Sequence, residues 1–160
     1  MSNNIKYISL LAFFTLMMFS SCIKNETCLS ANNLLKTETY IVNDEGELVI
    51  TAMDSMSLFI LGREDTMLYN NVKDKSTFSI PLSDTAEQII AVLNINEGTD
   101  TIWINYKPYP VFRSTECGVI NRYEIFELNY TQNKVWGMAI LDNQVDEREE
   151  TNILLVFRTN

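Results

Sequence analysis

Hydrophobic positions in this chain fall into two regimes. From Ile8 to Phe19 they form one predominantly apolar run, whereas beyond Thr27 they come in short bursts divided by Gly, Pro, Asn and Asp. The bursts at Thr39 to Val42 and Leu48 to Thr51 flank Asp44-Glu45-Gly46, where glycine can take positive φ, so they predict a hairpin. Further strands are expected at Leu58 to Leu61, Thr66 to Tyr69 and Thr77 to Leu82, the last with Pro81 near its exit. The apolar run inside Gln88 to Ile95 fits a central strand buried on both sides. In Thr101 to Tyr106, Ile102, Ile104 and Tyr106 alternate with Trp103 and Asn105, and Val111-Phe112 follows as a short extended piece. Tyr123 to Tyr130 contains the adjacent pair Ile125-Phe126, which breaks alternation and predicts a bulge or two-sided burial. Trp136, Met138 and Ile140 recur at period two, and Ile153 to Phe157 closes the pattern.

Many short strands with frequent turns predict an all-β fold, an antiparallel β-sandwich of immunoglobulin-like type with about 8–10 strands. A small β-barrel is the alternative. Helix is expected, if anywhere, at Ser30 to Lys36 or Ser83 to Gln88, each opening on a Ser cap. No repeat or second-domain linker interrupts the body, so residues 28–160 are expected to form one domain.

The early run has a different meaning. It spans 12 residues behind Lys6 and the terminal amine, with no acid before Cys22, and roughly 20 residues are needed to cross a bilayer. That is a secretory signal pattern. Its end, Phe19-Ser20-Ser21-Cys22, resembles the lipobox read by bacterial lipoprotein signal peptidase, with Phe19 in place of the usual aliphatic residue. The resemblance implies a signal peptide over 1–21, cleavage before Cys22, and acyl chains on Cys22 that anchor the protein. Residues 22–27 would then be the lipidated cysteine and a polar tether.

Charge narrows the partners. The chain has 21 acidic and 12 basic residues and no histidine, and losing Lys6 with the signal leaves 11 − 21 = −10. Such acidity disfavours nucleic acid, because phosphate binding needs clustered cations. Without histidine there is no Ser-His-Asp or Cys-His machinery and no imidazole metal site. No cofactor motif is present. With Cys22 lipidated, Cys28 and Cys117 remain, in a compartment where disulfides persist. One bridge between them is expected, 117 − 28 = 89 residues apart, with two separately buried thiols as the alternative.

The ordered set Asp65-Thr66-Met67-Leu68-Tyr69, Ile80-Pro81-Leu82, Asp100-Thr101-Ile102-Trp103-Ile104, Pro110-x-Phe112 and Glu116-Cys117-Gly118 resembles a family of small uncharacterised lipoproteins of the Bacteroidota, a domain of unknown function. The resemblance runs from about Cys28 to Phe157. It implies a β-rich envelope lipoprotein and no particular activity.

Three other patterns carry candidate chemistry. Asp54-Ser55-Met56, Asp65-Thr66-Met67, Asp84-Thr85-Ala86 and Asp100-Thr101-Ile102 resemble the acceptor sequence of the Bacteroidota protein O-glycosylation system, which marks Ser55, Thr66, Thr85 and Thr101. The same tripeptides also suit turns that enter strands, with the carboxylate capping turn amides. Trp103, Tyr106, Tyr109 and Phe112 crowd a Pro-x-Pro segment and offer faces for a sugar or a protein partner, although aromatics at strand spacing usually pack the core. Asp142, Asp146, Glu147, Glu149 and Glu150 lack the spacing and glycine of a Ca²⁺ loop and read as a solvated acidic turn rather than a metal site.

Together these features predict a non-enzymatic lipoprotein that acts as a structural or interaction module, anchored at the outer membrane and facing the periplasm. The alternatives are a carbohydrate- or metal-binding accessory protein, and a small hydrolase working with paired carboxylates. The expected partners are the membrane, through the lipid on Cys22, and an envelope protein or glycan.

Overall fold

Period-two patterning becomes eleven strands in the computed structural model, which describes residues 34–63, 66–95, 98–115, 117–148 and 150–157. They are β1 (Leu34–Val42), β2 (Leu48–Ile50), β3 (Met56–Ile60), β4 (Met67–Val72), β5 (Thr77–Pro81), β6 (Gln88–Ile95), β7 (Gly98–Ser114), β8 (Gly118–Tyr130), β9 (Val135–Ile140), β10 (Gln144–Val145) and β11 (Ile153–Phe157). The described residues contain no helix. Leu34 to Lys36 lie in β1, and the link from Ser83 to Glu87 is a turn, so neither helix expectation is met where it can be seen. Ser30 to Asn33, like the signal segment, Cys22 and Cys28, lie outside the described residues.

Two sheets enclose the core, as predicted for a β-sandwich. One runs β2-β1-β11-β9 with β5 also on β1, and the other runs β10-β8-β7-β6-β3-β4. The described strands number eleven rather than 8–10, and β10, of two residues, has no counterpart in the sequence pattern. β1 and β11 pair in parallel, Thr37 opposite Ile153 through Ile41 opposite Phe157. The first and last described strands therefore meet in the middle of one sheet. Leu35, Met56, Leu58, Leu93, Ile102, Ile104, Ile125 and Leu155 fill the space between the sheets with almost no exposure. β6 differs from expectation: Ile89, Ala91, Leu93 and Ile95 are buried, while Ile90 and Val92 on the outer face are half-buried.

Two bulges decide which side chains turn outward. Asn105 pairs with Glu127 and Tyr106 with Ile125, so Phe126 is the extra residue in β8 and is 61% exposed. Of the two readings of Ile125-Phe126, the bulge holds. In β9, Val156 pairs with Gly137 and Phe157 with Val135, which leaves Trp136 outside the register and exposed. The shared face expected for Trp136, Met138 and Ile140 is thus broken at Trp136, while the other two pack on the core.

Buried polar side chains hold the places where the chain changes partner. Thr39 sits where β1 passes from β5 to β2, and its hydroxyl donates to the carbonyls of Thr51 and Ser76. Asn152, buried beside β1, accepts from the Lys36 N–H and donates to the carbonyls of Asp142 and Gln144. Asp100, 1% exposed near the start of β7, accepts from the Thr131 hydroxyl at 2.7 Å. It also accepts from the backbone N–H groups of Asn133, Lys134 and Val135 at 2.9, 2.8 and 3.0 Å. That carboxylate clamps the turn by which the chain leaves β8 and enters β9 in the other sheet.

Burial by itself pushes the Asp100 carboxyl pKa up, but the backbone N–H groups and the Thr131 hydroxyl outweigh burial and hold it below its ordinary value. A lowered folded-state pKa contributes stability that is complete above the unfolded value and disappears as pH falls through the folded one. Asp100→Asn should therefore cost about 2–4 kcal/mol at neutral pH, since it sets an amide against buried donors. The loss of stability below roughly pH 4 should be shallower in the variant than in the wild type. Urea denaturation at a series of pH values measures both effects.

Candidate functional site

β7 and β8 run on together beyond the body of their sheet. The last β6 pairing is Gln88 opposite Asn105, whereas β7 continues to Ser114. Among the described residues its only strand partner past Asn105 is β8, and β8 in turn meets β10 only at Tyr123 and Glu124. The result is a two-stranded arm. Tyr106 donates its N–H toward Glu87 on the β6 side, and by alternation Pro108 and Pro110 would present theirs to the same side, where β6 has ended. Proline has no N–H to leave unpaired there, which also blunts the open edge against further strand pairing.

A tyrosine pair fixes the base of the arm. Tyr106 is fully buried, and its hydroxyl accepts from the Ser83 N–H at 3.0 Å. Tyr123 meets it edge to face at 5.7 Å and donates to the Asp84 carboxylate. Burial first, and the Asp84 carboxylate second, push the Tyr123 phenol far above its ordinary pKa. Burial also raises Tyr106, against the lowering effect of the Ser83 backbone. Both phenols stay protonated near neutrality and serve to pin the 83–84 turn.

The four aromatics expected to form one surface do not come together. Tyr106 is a core residue, because it shares the inward face with Ile102 and Ile104. Trp103 is half-buried on the outer face between Ile90 and Asn129. Tyr109 is half-buried on the arm, with its hydroxyl on Gln144. Phe112 stands near the arm tip, 65% exposed, directly opposite Val119 at 64%.

Sequence reasoning missed a polar ladder on the outer face. Gln88 donates to Asn105 at 2.7 Å and Asn105 to Glu127 at 2.6 Å, beside exposed Phe126. The ladder depends on the register of three strands, including the bulge, so no local spacing reveals it.

Ser55 bonds Asn71 at 2.6 Å, while Thr66 and Thr85 are exposed in turns. Thr101 lies within β7 opposite Val92, next to the inward-committed Asp100. In the acidic stretch the carboxylates gather around a guanidinium. Arg148 reaches Asp142 and Asp146 at 2.8 Å and Glu150 at 3.2 Å, and Arg122 pairs with Glu147 at 2.9 Å. The Arg148 N–H and guanidinium overcome burial and hold Asp146 below the usual carboxylate range. Glu149 lies outside the described residues. An open cleft of about 290 Å³ is lined by Lys36, Thr37, Thr77, Phe78, Ser79 and Thr151, none of them a carboxylate. Cys117, at the arm tip, is disulfide-bonded, and its N–H donates to Ser114.

Residues 47–157 match a family of unknown function, DUF6452. The chain belongs to that family. No curated protein and no solved structure matches it. The DUF6452 match begins after β1, yet β1 pairs with β2, β5 and β11, so the folded unit needs residues from Leu34 onward.

Tyrosinate absorbance in an alkaline titration should show Tyr106 and Tyr123 resisting ionisation until the fold is lost. Because their folded pKa values are raised, their contribution is complete below about pH 10 and disappears as pH rises further. Tyr123→Phe should remove one late-titrating group and cost about 1–2 kcal/mol, as Asp84 loses its donor.

Proposed function

We propose that this DUF6452 protein is a lipid-anchored envelope lipoprotein whose β-sandwich is a non-enzymatic structural or interaction module. The observation that carries the reading is the disulfide at Cys117, because such bonds persist in oxidising, exported compartments. Only Cys22 and Cys28 are left in the chain as intramolecular partners. Pairing Cys28 with Cys117 frees Cys22 for lipid, in agreement with the signal pattern before it and with the resemblance to Bacteroidota lipoproteins. The bridge would close a long loop and stabilise the fold by roughly 4–5 kcal/mol in the chain-entropy account. The outer membrane, facing the periplasm, is the preferred address, since Ile23 to Glu26 carries a single acid.

Fatty-acid labelling in the native host should mark the wild type and leave Cys22→Ala unmarked. Peptide mapping without reductant should recover Cys28 linked to Cys117. An unlabelled wild type, or Cys22 in the bridge, would contradict the reading.

A second reading, a glycan-binding accessory role, is favoured by exposed Phe126, which adjoins Glu127 of the Gln88–Asn105–Glu127 ladder along the strand, so an aromatic and a row of polar groups share one stretch of surface. It predicts binding to envelope glycans in titration calorimetry, weakened about tenfold or more by Phe126→Ala.

A further inference from the structure

The arm has a direction. β1 starts beside the end of β5, Leu34 opposite Pro81, and two residues later Ser83 is held by Tyr106 at the base of the arm. The arm therefore leaves the sandwich from the end at which the chain enters it from the N-terminal side. Beyond Asn105, β7 runs for 114 − 105 = 9 residues. At roughly 3.3 Å per residue that is about 30 Å of ribbon.

At its far end, Phe112 and Val119 face each other across the strands and are both mostly exposed. Side by side at the tip of a ribbon they form a small apolar surface whose transfer into another apolar phase is favourable. Exposed Arg113 follows Phe112 on β7, with a stem long enough to keep its charge in water or among headgroups. Cys117 ties the same tip covalently to another part of the chain. If the partner is Cys28, the tip is held to a point six residues from Cys22, a reach of about 20 Å at most.

We propose that the Phe112–Val119 tip of the β7–β8 arm rests in the interfacial layer of the lipid bilayer beside the anchor, as a second membrane contact that orients the sandwich. This rests on the reading of Cys22 as the lipidated residue. The occupant of the tip is lipid because direction, covalent tie and chain length all lead to the membrane surface. One acylated cysteine on a short tether fixes distance only, whereas an anchor and an apolar tip together fix orientation.

The test uses the full lipidated chain in nanodiscs of phosphatidylcholine and phosphatidylglycerol. 4-Fluorophenylalanine is placed at Phe112, and in a second sample at Phe126 on the sheet face. Fluorine lines are broadened by spin-labelled lipid or by a water-soluble gadolinium chelate. Position 112 should be broadened several-fold more by the lipid label than by the chelate, and position 126 the reverse. Equal behaviour of the two positions, with the chelate dominant, would place the tip in water and overturn the proposal. Shielding of position 112 from both agents would put a protein surface, such as a second copy, on the tip and overturn it as well. Intact mass from the same samples separates the failures. Lipid on Cys22 with a water-exposed tip refutes only the orientation, while absence of lipid refutes the anchoring and the orientation together.

Discussion

A single buried carboxylate makes the two sheets one structure. Asp100 gathers the Thr131 hydroxyl and three consecutive backbone N–H groups, from Asn133 to Val135, at the point where β8 ends in one sheet and β9 begins in the other. A turn that crosses between sheets has donors with no strand to satisfy them, and burying those donors unpaired would cost more than most core contacts contribute. One ionised acceptor with two oxygens serves all four. Thr39 does the equivalent where β1 changes neighbour, and Asn152 does so where the chain enters β11 beside β1. The apolar core supplies the driving force, and these three polar groups fix the connectivity around it.

That division of labour explains what could be read from the residues. Most strands were legible from alternation, β6 and β11 to the residue, and Gly46 marked the hairpin between β1 and β2 with a φ of +82°. The length of β7 was not legible, because Pro108 and Pro110 read locally as a break. They are tolerated since the edge they face has no partner among the described strands. Trp136 was misplaced by simple parity, since a bulge shifts the register by one residue and its position is set by the partner strand, whereas the adjacent pair Ile125-Phe126 announced its own bulge by breaking alternation. Asp100 was visible only as one of four similar tripeptides. Its depth and its four donors come from residues more than thirty positions away. The Gln88–Asn105–Glu127 ladder likewise exists only once three strands are in register.

The functional features sit apart from this framework. The tyrosine pair anchors an arm whose edges are blunted by proline and whose tip carries exposed Phe112 and Val119 next to the bonded Cys117. The proposed contact with another surface draws on this extension and its apolar tip. In the acidic turn Arg148 already gathers three carboxylates and Arg122 takes a fourth. Meeting of the first and last described strands, β1 and β11, also places a pairing of high sequence separation at the centre of one sheet.

The central claim is that Asp100 couples the cross-sheet turn to global stability. Native-state hydrogen exchange of the Asn133, Lys134 and Val135 amides tests it directly. Asn133 and Lys134 lie in the cross-sheet turn and Val135 opens β9, so if Asp100 binds them as described all three amides should exchange only through global unfolding, with the same free energy as the β7 core amides. Exchange by local opening, at rates typical of surface turns while the core stays protected, would contradict the account.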